Sequence, residues 1–428
     1  MSHHREETVT VDYDLIQWKT HAWKDPGMVG WYSGRMKENT GTNYLKNALE
    51  TGIIRRQLRG KDIIDIGIGT GRAALPLIAK GYQVTGVDSS QAMLNEARRL
   101  AGDLPITLKL GDITRLPCED VAFDSAVALN VLVHFPSWRE ALCEWKRVVR
   151  PGGRVIFDIH SLDHIHAAYG HDMTQWPEAL NGNAQAQGNF VDYLSRMSTK
   201  ELVSFANDAG FAIVAAIPYG AFLGGGNVNW LLYESLERSH KWRRVLSWFS
   251  RDAHLFEMGL FLEEMVVSCL SPRITGRMFV VLENRADPEG NARWEADLMA
   301  KEEAMAKHTF SALLPWLPLP VNVFERELAR LLQPLRSRHF FYLLLKTLVT
   351  RYPTYDFSGV LPEDYVQQFS TWWANDITDE RALALARGWS DGCHTKYYQG
   401  VDVTRGIEYH LVEALLKKHY RIFGEGPQ

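Results

Sequence analysis

Between residue 61 and about residue 282 the chain alternates two patterns: short runs dense in β-branched and apolar residues, and stretches in which apolar residues return every three or four positions. The first pattern fits a strand, and the second fits a helix with one buried stripe. Runs at 63–66, 83–87, 106–110, 124–129, 154–159, 211–217 and 277–282 predict seven strands. Strands that take turns with helices predict an α/β fold, a parallel sheet covered by helices on both faces.

Local signals place several helix ends. Ser137 with Glu140, and Ser198 with Glu201, form S-x-x-E boxes whose side chains satisfy the amides left over at a helix start. The second of these helices then buries Leu202, Phe205 and Ala209 before Gly210 stops it. Pro151, Gly152 and Gly153 break the preceding helix and lead into the fifth strand.

Two insertions interrupt this core, at 162–196 and 221–276. The second contains Gly224, Gly225 and Gly226 and continues as amphipathic helices rich in Trp, Leu and Phe, which suits either a lid over the strand ends or ordinary packing. Beyond residue 285 the pattern changes to helices punctuated by prolines, and the last of them puts Ile407, Leu411, Ala414 and Leu415 on one stripe. The expected division is an N-terminal helical cap at 1–60, the α/β domain at 61–285 and a helical accessory domain at 286–428.

Composition narrows the classes. A chain of 428 residues exceeds what one core usually supports, and 46% apolar with 23% charged residues describes an ordinary globular protein. The formal net charge of −4 argues against holding nucleic acid through a general positive field. Basic clusters at 55–61, 238–244 and 417–421 lie on helical patterns and read as solvated faces. Cys118, Cys143, Cys269 and Cys393 form no C-x-x-C pair, so neither a metal site nor a disulfide scaffold is expected, and a reducing, cytoplasmic setting fits. The first ten residues lack an apolar signal core. The longest apolar stretch, near 340–349, falls short of the roughly 20 residues a spanning helix needs, so no membrane span is expected.

The chemistry concentrates after the first strand, at Asp65-Ile66-Gly67-Ile68-Gly69-Thr70-Gly71-Arg72. Glycines let a turn tighten and a ligand approach the backbone, and the helix that follows offers unpaired amides. A dinucleotide-binding fingerprint would place its third glycine where this chain has Arg72; glycines at every second position fit a ligand without phosphates. The second strand ends in Asp88, at the distance expected for an acid that takes two ribose hydroxyls, with Ser89 beside it and Met93 in the next helix. The third strand ends at Gly111-Asp112-Ile113, presenting another carboxylate at the same sheet edge.

These residues, followed by F-D-S-A-V-A-L-N-V-L-V-H-F and R-P-G-G-R-V, resemble in wording and in order the motif series of the class I S-adenosylmethionine-dependent methyltransferases. The resemblance is strong from Lys61 to Phe157 and weak to about residue 283, and it leaves the C-terminal third untouched. It implies a Rossmann-like seven-stranded sheet with S-adenosylmethionine as cofactor. Gly67, Gly69 and Gly71 would contact the methionine part, with Asp65 below holding the amino group. Asp88 would hold the ribose, and Asp112 the adenine amine between Ile113 and Met93. Asn130 would present its carbonyl near the amino group; for Asp112 and Asn130 ordinary turn capping is the alternative.

Methyl transfer from a sulfonium is chiefly a matter of alignment, and a general base adds to it when the acceptor carries a proton. His134, just beyond the fourth strand, is the first candidate for that base, and His160, at the end of the fifth, is the second. Trp18, Trp23, Trp31, Tyr32, Arg35 and Tyr44 precede the first strand; Tyr32 and Arg35 either line the substrate pocket or pack on the sheet. The leading expectation is methylation of an oxygen or nitrogen of a small-molecule metabolite, in specialised biosynthesis. The alternatives are an RNA or protein acceptor docked by the helical domain, and a non-catalytic scaffold. A homodimer through the helical region is left open.

Overall fold

In a computed structural model, residues 23–37, 42–135, 138–172, 174, 195–220, 253–306, 315–324, 326–327 and 330–331 are described. Contacts divide the chain into two units, the first comprising Met1–Asn39, Lys46–Leu231 and Glu263–Trp316, the second Thr40–Leu45, Leu232–Leu262 and Leu317–Gln428.

The first unit is the α/β body. Its strands are β1 (Asp62–Ile66), β2 (Gln83–Asp88), β3 (Ile106–Leu110), β4 (Phe123–Ala128), β5 (Val149–Ser161), β6 (Arg196–Met197), β7 (Ala212–Pro218) and β8 (Arg277–Glu283). The helices among them are α1 (Pro26–Lys37), α2 (Thr42–Gln57), α3 (Ala74–Ile78), α4 (Gln91–Ala101), α5 (Trp138–Val148), α6 (Leu162–Tyr169), α7 (Thr199–Ala209), α8 (Ala253–Met265) and α9 (Pro288–Ala306). The sheet runs β3-β2-β1-β4-β5-β8-β7, with β6 added beside β5.

The expectation of seven parallel strands is corrected in two respects. The sheet has eight strands, because β6 is a two-residue strand inside the predicted insertion at 162–196, too short to show a period. And β8 runs antiparallel to both neighbours, pairing Arg154 with Glu283 through to His160 with Arg277 on β5. Side-chain alternation is the same for a strand running either way, so the sequence pattern carries no direction.

The central strands are buried by apolar residues on both faces. Ile63, Ile64, Ile66, Val127, Ile156 and Phe157 are fully buried, and Trp145 of α5 sets its ring edge-on to Phe157 at 6.2 Å. The capping box at Ser198 is present: its Oγ accepts from Glu201 N at 3.1 Å, Glu201 Oε2 accepts from Ser198 N at 2.8 Å, and Gly210 ends α7 in the left-handed region. The box at Ser137 lies outside the described residues. Gly152 and Gly153 do not precede β5 but sit within it, at a register shift against β4.

Helix α9, the first beyond residue 285, packs on β7 in this same unit: Asn291 Oδ1 accepts from Ile213 N at 2.7 Å, and its Nδ2 donates to Phe211 O at 2.9 Å. In the second unit Phe261 stacks on Phe324 with ring centroids 5.4 Å apart. The glycine triplet at 224–226, the apolar stretch at 340–349 and the stripe from Ile407 to Leu415 lie outside the described residues. Among the described residues, no helix is long and apolar enough to cross a membrane.

Between β1 and β4 the strand order reverses direction, β2 and β3 lying to one side and β5 to the other. Such a switch point opens a crevice at the carboxyl ends of the strands.

Candidate active site

The crevice is lined by the residues that leave β1 to β4. Gly67 N and Ile68 N both donate to Val87 O, at 2.7 and 3.0 Å, which pins the glycine loop to the end of β2. Gly67 has φ +67°, and a Cβ there would stand 2.5 Å from Val131 Cγ2, so glycine is required. Gly69 N donates to Asp88 Oδ2 at 2.8 Å and Ser90 N to Asp88 Oδ1 at 2.9 Å. Each Asp88 oxygen thereby keeps a lone pair for a ligand. Burial raises the Asp88 carboxyl above its ordinary range, and the amides of Ser90 and Gly69 oppose that rise. Ser90 also caps α4 through Met93 N, which seats Met93 on the cavity wall.

Asp65, 2% exposed, is the last acid of β1. Burial, then the charge of Asp88, push its carboxyl up to about 7. Its Oδ2 has no hydrogen-bond partner. Asp112 Oδ1 accepts from Thr114 N and Oγ1 at 2.8 and 2.7 Å, so the turn-capping alternative holds for one of its oxygens. The wall at Ile113 is fixed by Trp145 Nε1, which donates to Ile113 O at 2.9 Å.

Together these residues surround a cavity of about 1090 Å³, open mouth included. Asp65, Gly67, Gly69, Asp88, Ser89, Met93, Asp112, Ile113, Asn130, His134 and Tyr32 all line it. Gly71 does not; its amide closes the turn onto Ile68 O at 2.9 Å. Nor does His160, which is 1% exposed within β5 with Nδ1 3.1 Å from Gly276 O, and burial holds its ring well below the usual imidazole range. The pairing with β8 that buries His160 involves a strand more than a hundred residues away, which the local pattern could not announce. Arg35 belongs to α1, and its side chain lies outside the description.

Sequence reasoning missed several wall residues. Arg72, read only as the absence of a glycine, lines the cavity, as do Trp23 and Phe135. Trp23 stands edge-on to Tyr32, with centroids 5.6 Å apart, and 5.9 Å from the ring of His134, giving the cavity lining an aromatic cluster. Helical or loop aromatics before a first strand carry no signal for which of them turns inward.

A buried polar network stands behind two wall residues. Asn130, held at φ +59°, donates its amide to Asp158 Oδ1, and its Oδ1 accepts from Arg277 Nη1. Arg277 also donates to Asp158 Oδ2 at 3.0 Å, and Tyr219 OH donates within reach of both Asp158 Oδ2 at 3.2 Å and Glu50 Oε1 at 3.1 Å. Glu50 in turn accepts from Arg72 Nη1 at 2.6 Å. Burial would raise the Glu50 carboxyl, but Arg72 and Lys46 overcome it and hold it below its ordinary value.

A protein-family model described as "Methyltransferase domain" matches residues 64–157. An uncharacterized 37.1 kDa protein in transposon TN4556 of Streptomyces fradiae is 34% identical over 37% of this chain and 46% of its own length. An O-methyltransferase of Aspergillus sclerotiorum is 32% identical over 29% of this chain and 50% of its own. A demethylmenaquinone methyltransferase of Clavibacter sepedonicus is 30% identical over 36% of this chain and 67% of its own. The chain belongs to the class I S-adenosylmethionine-dependent methyltransferases. It spans about half the length of the first two of these curated relatives. The segment matched by the family model, residues 64–157, holds the glycine loop, Asp88, Asp112, Asn130 and His134 but not Trp23, Tyr32, Glu50, Tyr219 or Arg277.

Proposed function

We propose that this chain transfers a methyl group from S-adenosylmethionine to an oxygen of a small, planar aromatic metabolite. One observation carries the reading: three carboxylates, Asp65, Asp88 and Asp112, line one cavity together with the rings of Trp23, Tyr32, His134 and Phe135. The donor set fits the cofactor, since an unpartnered buried carboxylate oxygen at Asp65 suits an ammonium and the free lone pairs of Asp88 suit a pair of ribose hydroxyls. When bound, the cofactor supplies a methyl group on a positively charged sulfur.

The chain's own residues then bind and orient. Asp88 takes the ribose, Asp112 the adenine amine through the oxygen its turn leaves over, and Met93 with Ile113 the faces of the base. The aromatic cluster stacks a flat acceptor and excludes water from its reacting edge. His134, at the end of the short turn Leu132–His134, accepts the acceptor's hydroxyl proton as the methyl bond forms. Names of relatives such as O-methyltransferase and ubiquinone biosynthesis O-methyltransferase agree with oxygen as the acceptor atom.

The test is to incubate the full chain with labelled S-adenosylmethionine and a panel of phenols, catechols, hydroxyquinones, aliphatic alcohols and amines, identifying products by mass spectrometry. Phenolic or quinol oxygens should be labelled; label confined to amines, or to RNA or protein in an extract arm, overturns the reading. His134→Gln should lower kcat on the accepted phenol about a hundredfold or more while leaving cofactor affinity within about twofold.

A further inference from the structure

On the cavity wall just beyond β4, Asn130 holds its backbone at φ +59°, a conformation that a residue other than glycine keeps only where its surroundings enforce it. A closed ring of three residues enforces it. Asp158 Oδ1 accepts from Asn130 N, Asp158 Oδ2 accepts from Arg277 Nη1 at 3.0 Å, and Arg277 Nη1 donates in turn to Asn130 Oδ1. Asp158 is fully buried and the Arg277 side chain is 11% exposed, so water does not compete for these bonds.

The ring also fixes which way the Asn130 amide points. A guanidinium carries donors and no acceptor, so the atom that faces Arg277 is the carbonyl oxygen. The two hydrogens on Nδ2 are left at the other end of the amide. Among the described residues no group accepts from Nδ2, and the atom is not sealed from solvent; because Asn130 lines the cavity, it opens there.

Its neighbours place this donor beside the reacting groups. Val131 follows directly, its Cγ2 so close on the glycine loop that a Cβ at Gly67 would stand 2.5 Å away. His134, the proposed base, closes the same turn, its N donating to Val131 O at 2.9 Å. Ionised, the acids Asp65, Asp88 and Asp112 can only accept, whereas Asn130 adds a neutral donor, which suits an uncharged oxygen.

We propose that Asn130 Nδ2 donates to a second oxygen of the acceptor, on the ring carbon next to the one whose hydroxyl is methylated, with Arg277 and Asp158 as the positioning residues that aim it. The substrate class narrows to ortho-oxygenated phenols: catechols, their monoethers and ortho-hydroxyquinones. This rests on the function proposed above. Two contacts from one turn, His134 on the reacting hydroxyl and Asn130 on its neighbour, fix the rotation of the ring in its plane.

Initial rates with the full chain and labelled S-adenosylmethionine test this on 2-methoxyphenol and 2-ethylphenol, which are close in size and acidity and differ in the adjacent oxygen. On a larger accepted phenol the same exchange of methoxy for ethyl is made. Wild type should favour the methoxy compound about tenfold or more in kcat/KM. Asn130→Asp keeps an oxygen for Arg277 but replaces the donors with a second carboxylate oxygen. It should lose that preference and favour catechol, whose second hydroxyl can donate, over 2-methoxyphenol. Arg277→Met frees the amide to turn and should bring the methoxy-to-ethyl ratio near one, while Arg277→Lys, which keeps a donor for Asn130, should retain most of it. If the variants do not fold, the wild-type ratio decides. A wild-type ratio near one, or an unchanged preference in Asn130→Asp, overturns the proposal, and an unchanged ratio in Arg277→Met overturns the positioning role. So does a loss in Asn130→Asp that falls on S-adenosylhomocysteine binding by calorimetry and spares the acceptor preference, since it moves the donors to the cofactor. Absence of label on every phenol and catechol would instead overturn the function proposed above.

Discussion

The two halves of the sheet build their share of the site in different ways. On the side of β1, β2 and β3, each wall residue stands at a strand end and is held by its near neighbours: Asp88 by Ser90 two residues on and Gly69 nineteen residues back, and Asp112 by Thr114 two residues on. On the side of β5, β8 and β7, Asn130 is held by Arg277, 147 residues away, and Tyr219 reaches Glu50 across 169. The first arrangement uses short loops whose closure costs little entropy and leaves its signature in a few consecutive residues. The second is assembled only when β8 inserts between β5 and β7. The contacts that hold the proposed cofactor-binding acids are therefore local, while the posture of Asn130 depends on the far side of the sheet.

Breaking the long-range half should have the largest effect. Arg277→Met removes the cation from Asp158 and Asn130 and leaves a buried carboxylate with only the neutral Asn130 amide and Tyr219 hydroxyl, which should cost about 3–5 kcal/mol of stability in urea unfolding. A loss under about 1 kcal/mol would erase the contrast between the halves. In the local half, Asp88→Asn should weaken S-adenosylhomocysteine binding about tenfold to a hundredfold, with stability within about 1 kcal/mol of wild type.

A pH titration sharpens the local half further. With its carboxyl at about 7, Asp65 is largely protonated in the free protein at pH 6, and an ammonium ligand binds the ionised form. Affinity should rise about tenfold per pH unit toward 7 and level off above it, with a proton released on binding below that point. The same shift acts on the fold in the opposite sense. The native carboxyl at about 7 exceeds its unfolded value of about 3.9, so Asp65 withdraws stability as pH climbs from about 4 to 7. Asp65→Asn should accordingly raise the melting temperature relative to wild type at pH 8 but not at pH 4, while lowering affinity for the ligand. Identical melting differences at both values would contradict the assignment. The smallest effect is reserved for a control: Ser198→Ala loses the capping box of α7, costing about 1 kcal/mol, and should leave binding untouched.

How much could be read in advance follows the same division. The strands at 63–66, 83–87 and 106–110 were legible because a buried strand needs an apolar run and a glycine loop needs its glycines. Nine of the ten residues expected around the cofactor line the cavity, all but Gly71, because each is displaced from its strand end by only a few residues. His160 was misjudged for the complementary reason. The end of a strand faces a crevice or a neighbouring strand, and the antiparallel β8 that covers it could not be seen from residue 160. Arg72 reads in the sequence only as the absence of a glycine, and the tertiary structure places it on the cavity wall.

The sequence by itself determined the order of elements in the α/β body, the glycine loop and the acids at the ends of the first three strands, because those features obey the geometry of consecutive residues. Tertiary structure decided the direction of β8, the burial of His160, and the placing of Trp23 against both Tyr32 and His134. It also decided that Arg72 Nη2 and Asp65 Oδ2 stand without a hydrogen-bond partner beside one cavity, since whether a buried polar atom finds a partner depends on groups that the chain brings together from far apart.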